Sequence, residues 1–494
     1  MKTGMGKRIG SGILALALTA TMYVGSSASV FAGDTLPYID HSAKGENQPY
    51  SHGWRGEDLL DWSPETDPYA EYMRAQIPLQ NRNEAFAATQ AHPDLSSEVQ
   101  LFNLSADYGI AFFDSYPYTN QFSQHIYNFW QYTDYYGSWH GLPTEEVPES
   151  MYDAEGERNG TSDWSQRKFE FGLINMPNPG YTNAAHKNGV LSIGCIFLPR
   201  PGLKPNILFT QDETGRFPYA DKLVELCKYY GFDGYFINQE DSVPRRDIAL
   251  YKKFMKQMRD AGLYVQWYDA VDDTTGVRHY ENEFNSANDS YFYEDDESIA
   301  PVGTQYASSI FLNYGWSKEK LTNSANLATS LGLNPREIVF SGLEANMHSW
   351  KHIYDLRDGL DENGQLMNSL ALFSADFVHS ALDEQLGVKG NTLMLREKDE
   401  FQWMTFERER RWYSGPFEDP SLASTTADRS TYEAYPEVGI DSQKFDGVAA
   451  YIAERSVING DTFVTNFNTG HGLEYKVNGE ASGNSEWSNI IIQD

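Results

Sequence analysis

From about residue 125 onward, short apolar runs recur and are separated by stretches with apolar positions every three or four residues. The short runs predict strands at 128–134, 171–175, 190–197, 233–238, 264–269, 309–314, 337–342 and 369–377. The longer period predicts helices at 219–231, 247–262 and 317–332, with a C-terminal helical turn at 184–190. The first of these helices ends on Gly231, the residue type a helix C-cap favours. The second carries Ile248, Leu250, Tyr251, Phe254, Met255 and Met258 on one side and Lys and Arg on the other.

Strands alternating with helices over this length predict a (β/α)8 TIM barrel. Residues 1–32 read as a secretory signal, because Lys2, Lys7 and Arg8 precede the apolar run GILALALTATMYVG and then Val30-Phe31-Ala32. Residues 33–110 are polar and irregular and read as an N-terminal extension lying across a catalytic domain at 111–475. Residues 476–494 read as the start of a truncated β-rich region, since FVTNFNTGHGLEYKVNGE suggests strand, Gly-rich turn and strand shortly before the sequence stops. The expected protein is therefore secreted, cleaved near Ala32, and without a membrane anchor, as no second long apolar run follows.

In a (β/α)8 barrel the chemistry lies at the C-terminal ends of the strands. Several predicted strands end in polar or aromatic residues: Asp134, Asn175, Asn238 with Glu240, Tyr268 with Asp269, and Asn313 with Tyr314. The pair in GFDGYFINQE (231–240) carries the most chemistry. Strand residues two apart share a face, so Asn238 and Glu240 project together and Gln239 faces away. A partly buried carboxyl can hold a proton near neutrality and deliver it to a leaving group, with the amide beside it as an orienting group. The alternative is a strand-end carboxylate and amide that merely cap loop amides.

Composition narrows the ligand. A formal charge of −32 repels phosphate backbones, so no nucleic-acid partner is expected. The 32 Tyr, 27 Phe and 11 Trp exceed ordinary use, and flat rings suit sugar faces as well as cores. Cys195 and Cys227, in LSIGCIFL and LVELCKYY, read as buried thiols, although their pairing stays open. There is no CxxC, HExxH or GxSxG, so no zinc or α/β-hydrolase motif is present. The run Glu294-Asp295-Asp296-Glu297 reads as a solvated loop.

The spacing D-G-x-x-x-N-x-E from Asp233 to Glu240 resembles the catalytic strand of family 18 glycosidases, with Asn238 in place of the last Asp. With that Asn, the strand more closely resembles glycoside hydrolase family 85, the endo-β-N-acetylglucosaminidases. The resemblance runs through HGWRGEDLLDWSPETDPYAEYMRAQIPLQNRNEAF (52–86), FWQYTDYYGSWHG (129–141), AAHKNGVLSIGCIF (184–197), VQWYDAV (265–271), NEFNSAN (282–288), FLNYGW (311–316) and FVTNFNTGHG (463–472). It implies a retaining, substrate-assisted mechanism in which the 2-acetamido oxygen of the substrate attacks the anomeric carbon, an exception to the two-carboxylate rule. Glu240 would then be general acid and base, Asn238 would hold the acetamido group, and Tyr268 would hydrogen-bond the same group. Trp316 and Tyr280 are implied as aromatic cleft walls, and Asn313, Trp130, Asp134, Trp267 and Asn466 as further mouth residues. His186 reads as structural.

The implied partners are the N-glycans of glycoproteins, with hydrolysis of the β-1,4 bond of the GlcNAc-GlcNAc core, some transglycosylation, and no metal or organic cofactor. A family-18-like chitinase and a non-catalytic glycan-binding barrel are the alternatives. Two positions depart from the family pattern: Tyr280 stands where Trp is frequent, and Cys195 where Thr is common.

Overall fold

The computed structural model describes residues 59–67, 73–83, 90–105, 127–139, 174–177, 179–198, 205–345, 354–376, 399–432 and 444–458, with shorter pieces between 56 and 71 and between 471 and 489. Its centre is one sheet. The strands are β1 Leu101–Ser105, β2 Tyr135–Ser138, β3 Ile174–Asn175, β4 Leu191–Leu198, β5 Gly234–Gln239, β6 Tyr264–Tyr268, β7 Ser309–Leu312, β8 Val339–Glu344 and β9 Ser369–Phe373. They run in the order β2-β1-β9-β8-β7-β6-β5-β4-β3, and β2 also pairs with β4. Eight strands are thus parallel and the sheet closes on itself as a (β/α)8 barrel. The two-residue β3 is antiparallel to β4 and lies outside the ring.

Three strand assignments are corrected, one of them the predicted barrel strand at 171–175, whose described part is β3, outside the ring. The first barrel strand is Leu101–Ser105, which the sequence reading placed in the N-terminal extension. The predicted strand at 128–134 is displaced: Trp130–Tyr132 is a 3-10 turn and the strand begins at Tyr135. The other predicted strands lie within two residues of the observed starts.

The helices are α1 Pro179–Lys187, α2 Pro218–Tyr230, α3 Ile248–Asp260, α4 Lys318–Ser330, α5 Pro335–Ile338 and α6 Asp399–Ser414. Gly231 closes α2 in the left-handed conformation (φ 82°) and donates its N–H to the Cys227 carbonyl. Ser317 caps α4 by accepting from the Lys320 N–H.

Strand alternation sorts the side chains into two packed layers. Phe102, Leu104, Ile193, Cys195, Phe236, Tyr268, Phe311, Phe340 and Ala371 fill the barrel interior. Their neighbours Tyr235, Ile237, Val265, Trp267, Ile310, Leu312 and Val339 face the surrounding helices. Cys195 and Cys227 are both buried free thiols, one in each layer.

The described residues between 59 and 83 lie against the helices and the N-terminal side of the barrel. Trp62 packs on Tyr229 and Tyr230 of α2, and Lys222 donates to the Trp62 carbonyl at 2.9 Å. Asn183 of α1 accepts from the Gln76 and Ile77 N–H groups through its Oδ1. His186 bridges Asp233 (2.8 Å) and the Ile77 carbonyl (2.8 Å), a structural position. Burial lowers the His186 pKa, but hydrogen bonding and attraction to Asp233 and the Ile77 carbonyl outweigh it and leave it above 6.5.

The acidic run divides. Asp295, Asp296 and Glu297 are exposed, whereas Glu294 is buried and accepts from the Tyr306 hydroxyl at 2.8 Å. Near the C-terminus, Tyr475–Val477 pairs with Glu480–Ser482 and His471–Gly472 with Ser488–Asn489, both antiparallel. Among the described residues no helix is long and apolar enough to cross a membrane.

Candidate active site

The site is built at the C-terminal ends of β5, β6, β7 and β8. On β5 the alternation puts Phe236 and Asn238 toward the barrel axis, while Gln239 faces α3 and accepts from the Tyr251 hydroxyl at 2.7 Å. Glu240 follows the strand, and its backbone N–H donates to the Leu198 carbonyl on β4 at 3.1 Å, which extends the β4–β5 register to the carboxylate-bearing residue.

Both oxygens of Glu240 are engaged. The Asn238 amide donates through Nδ2 to Oε2 at 3.0 Å, and the Tyr280 hydroxyl donates to Oε1 at 2.9 Å. Asn238 is 6% exposed, and its Oδ1 is buried without a hydrogen-bond partner among the described residues. An unpaired buried carbonyl oxygen costs on the order of 1–3 kcal/mol, so it marks a place where an N–H donor is wanted.

Tyr268, at the end of β6, donates its hydroxyl to Asn313 Oδ1 at 2.9 Å. Burial, then the charge of Glu240 and the neighbouring Tyr280, raises the Tyr268 phenol well above its ordinary value, so it stays a neutral donor. Burial and Glu240 raise Tyr280 in the same direction. The rings of Tyr268 and Tyr280 stand 6.0 Å apart, and Phe236 lies beneath Tyr268 at 5.8 Å.

Two further carboxyls adjoin. Glu344 ends β8 and is 9% exposed; burial, then the charge of Glu240, pushes its pKa up to about 7. Asp269, directly after Tyr268, is pushed up by burial to about 8, against four N–H groups that favour its charged form.

The sequence expectations separate on this frame. Asn238, Glu240, Tyr268, Tyr280 and Asn313 come together. Trp316 lies past the end of β7, half-buried, with its indole donating to the Gly342 carbonyl at 2.7 Å and its ring 5.6 Å from Tyr354. Asp134 and Trp130 do not join them, because β2 starts at Tyr135 and both therefore sit at the opposite, N-terminal end of the barrel. Asp134 there pairs with Arg82 and Arg455 at 3.1 Å each, and Trp130 packs on Tyr127 and Tyr136. Trp267 faces outward into the helix layer against Tyr251 and Tyr291. Asn466 lies outside the described residues.

The residues that sequence reasoning passed over are Glu344 and Asn282. Glu344 stood beyond the predicted strand at 337–342, and Asn282 reaches its partners only through the folded loops. No group of His, Cys, Asp and Glu that could hold a metal ion occurs among the described residues.

A carboxylate with an amide and a phenol on its two oxygens, and a second phenol nearby, suits proton transfer beside a neutral polar ligand. Comparison with known proteins agrees in kind. The family model of glycosyl hydrolase family 85 matches residues 112–475. The chain belongs to that family.

Curated relatives of this family 85 chain include the cytosolic endo-beta-N-acetylglucosaminidase of Danio rerio, 30% identical over 171 residues, which are 33% of this chain and 22% of that protein. The protein of the same name from Homo sapiens is 24% identical over 229 residues, 44% of this chain and 28% of its own length. The crystal structure of the Endo-D glycoside hydrolase domain from Streptococcus pneumoniae aligns with a TM-score of 0.62 at 25% identity, over 90% of this chain and 61% of that one. The matches thus span less than a third of these two curated relatives. These relatives also overturn one expectation. They are named cytosolic, which points away from secretion, so export through a leader cleaved near Ala32 is not retained.

Proposed function

We propose that this chain is an endo-β-N-acetylglucosaminidase that hydrolyses the β-1,4 bond between the two GlcNAc residues of the N-glycan core, leaving one GlcNAc on asparagine. Its partners are accordingly the N-glycans of glycoproteins. The observation that carries the reading is the division of labour within one side chain. Asn238 gives its N–H to Glu240 and keeps a buried oxygen unpaired. That oxygen is placed to accept from the N–H of a 2-acetamido group, which leaves the acetamido oxygen to attack the anomeric carbon.

Glu240, protonated, delivers its proton to the glycosidic oxygen as the C1–O bond breaks and the acetamido oxygen closes an oxazolinium ring, which keeps its N–H hydrogen-bonded to Asn238 Oδ1. Tyr268, as a neutral phenol, supplies a further fixed dipole to the acetamido group. Glu240, now a carboxylate, then takes a proton from water as the water oxygen bonds C1 and the oxazolinium ring opens back to the acetamido group, with overall retention. A sugar hydroxyl in place of that water gives transglycosylation. Holding the internal nucleophile against C1 is a proximity effect, and misplacement by about 1 Å can cost on the order of a hundredfold in rate. Asn313 holds Tyr268, and Trp316 supplies a ring at the rim of the cleft.

The test is product analysis by mass. Incubation with an N-glycosylated glycoprotein should leave a single HexNAc on the peptide, and Glu240→Gln should abolish this. Cleavage of chitin oligosaccharides without deglycosylation would point instead to a chitinase, and glycan binding without cleavage to a non-catalytic barrel.

A further inference from the structure

The loop that carries Tyr280 is tied down on both sides. On the entering side, the Arg278 N–H donates to Ser242 Oγ at 2.9 Å and the His279 N–H to the Ala270 carbonyl at 3.0 Å. On the leaving side stands Asn282, in the left-handed conformation at φ 54°. Its backbone N–H donates to Asp269 Oδ2 at 2.7 Å. Its side-chain amide donates back to the Tyr280 carbonyl at 2.7 Å. Its Oδ1 accepts from the Gly315 N–H at 2.7 Å and from Asn313 Nδ2 at 3.1 Å. One residue therefore joins the ends of β6 and β7 to the backbone of Tyr280. Gly315 is part of the fit, because a Cβ there would lie 2.8 Å from Asn282 Oδ1.

From this geometry we infer that Asn282 is a positioning residue for the reaction, acting through Tyr280 to hold the Glu240 carboxyl. The inference rests on the reading of Glu240 as acid and base. Tyr280 is the only residue on its loop, among the described residues, whose side chain reaches the Glu240 carboxylate. Its hydroxyl can donate to that group when it is ionised and accept from it when it is protonated, so its placement matters in both halves of the reaction. Asn282 touches neither Glu240 nor Asn238 in any described contact; it sets where the Tyr280 backbone sits.

The experiment is a double-mutant cycle on glycoprotein hydrolysis, with thermal unfolding measured alongside. Asn282→Gly keeps the left-handed backbone and removes all the side-chain bonds. It should lower kcat by about tenfold or more while KM moves by less than about twofold. Tyr280→Phe should also lower kcat, and the double variant should lose at least about fivefold less than the product of the single losses. Gly315→Ala, which disturbs the same contact from β7, should lower kcat in the same direction. If Asn282→Gly fails to fold, the cycle is run with Gly315→Ala in its place.

An unchanged kcat, or losses that multiply fully in the double variant, would overturn the inference while leaving the enzyme reading intact. A folded wild-type chain that releases no glycan would overturn that reading and the inference with it.

Discussion

Asn238 and Glu240 meet because they are two residues apart at a strand end, and this much is legible in the sequence. The same rule separates Trp267 from Tyr268: adjacent strand residues face opposite ways, so Trp267 belongs with the helices once Tyr268 faces the axis. Asp134 was misplaced for another reason. The apolar run before it imitates a strand, whereas the strand itself begins one residue later. Glu344 was invisible because its role depends on proximity to Glu240 across the barrel mouth, a contact between residues far apart in the chain.

Glu344 carries a prediction at this scale. Its carboxyl is raised from 4.5 to about 7 by burial and then by Glu240. A raised carboxyl favours the protonated fold, so the stability it contributes is present below about pH 4.5 and lost as pH rises through about 7. The loss is on the order of 3 kcal/mol. Asp269, raised to about 8, acts in the same direction over a window reaching somewhat higher. Glu344→Gln should therefore flatten the fall in thermal midpoint between about pH 5 and pH 8. An identical pH slope in wild type and variant would show that Glu344 does not titrate in this range.

At the scale of elements, β4 to β9 were legible because each is a compact apolar run bounded by turn or helix signals. Leu101–Ser105 was not: it is short, its polar Asn103 and Ser105 are buried, and it follows a long irregular stretch. The aromatic run around Trp130 mimics a strand but folds as a 3-10 turn, with the Tyr127 hydroxyl bonding the Thr133 and Tyr413 hydroxyls. That contact joins residues almost 300 apart, which no local pattern reports.

The β5–β6 contact sets the relative height of Asn238 and Tyr268. A Cβ at Gly234 would lie 1.9 Å from the Tyr264 carbonyl oxygen, an atom of the paired strand that cannot step aside. Gly234→Ala should thus destabilise the fold by about 3 kcal/mol or more, read as a lower denaturation midpoint. A stability equal to wild type would mean that β5 and β6 are not held this closely.

For the molecule as a whole, the segments that flank the barrel are fastened by ion pairs and hydrogen bonds. Arg82 ties the N-terminal segment to Asp134 and to the carbonyls of Trp130 and Thr133. Asp446, fully buried, accepts from Arg357, Arg429, Tyr432 and Tyr451, which joins the loop after β8 to the segments around residues 430 and 450. The net charge of −32 fits a neutral ligand better than a polyanion, and many of the described aromatics are buried in the core.

In the proposed mechanism the nucleophile belongs to the substrate and Asn238 orients it. Asn238→Gln tests this most directly, by comparing its rate with that of wild type on an N-glycan and on a preformed sugar oxazoline. A severe loss on the glycan with turnover of the oxazoline retained is expected. Equal loss on both substrates would contradict it.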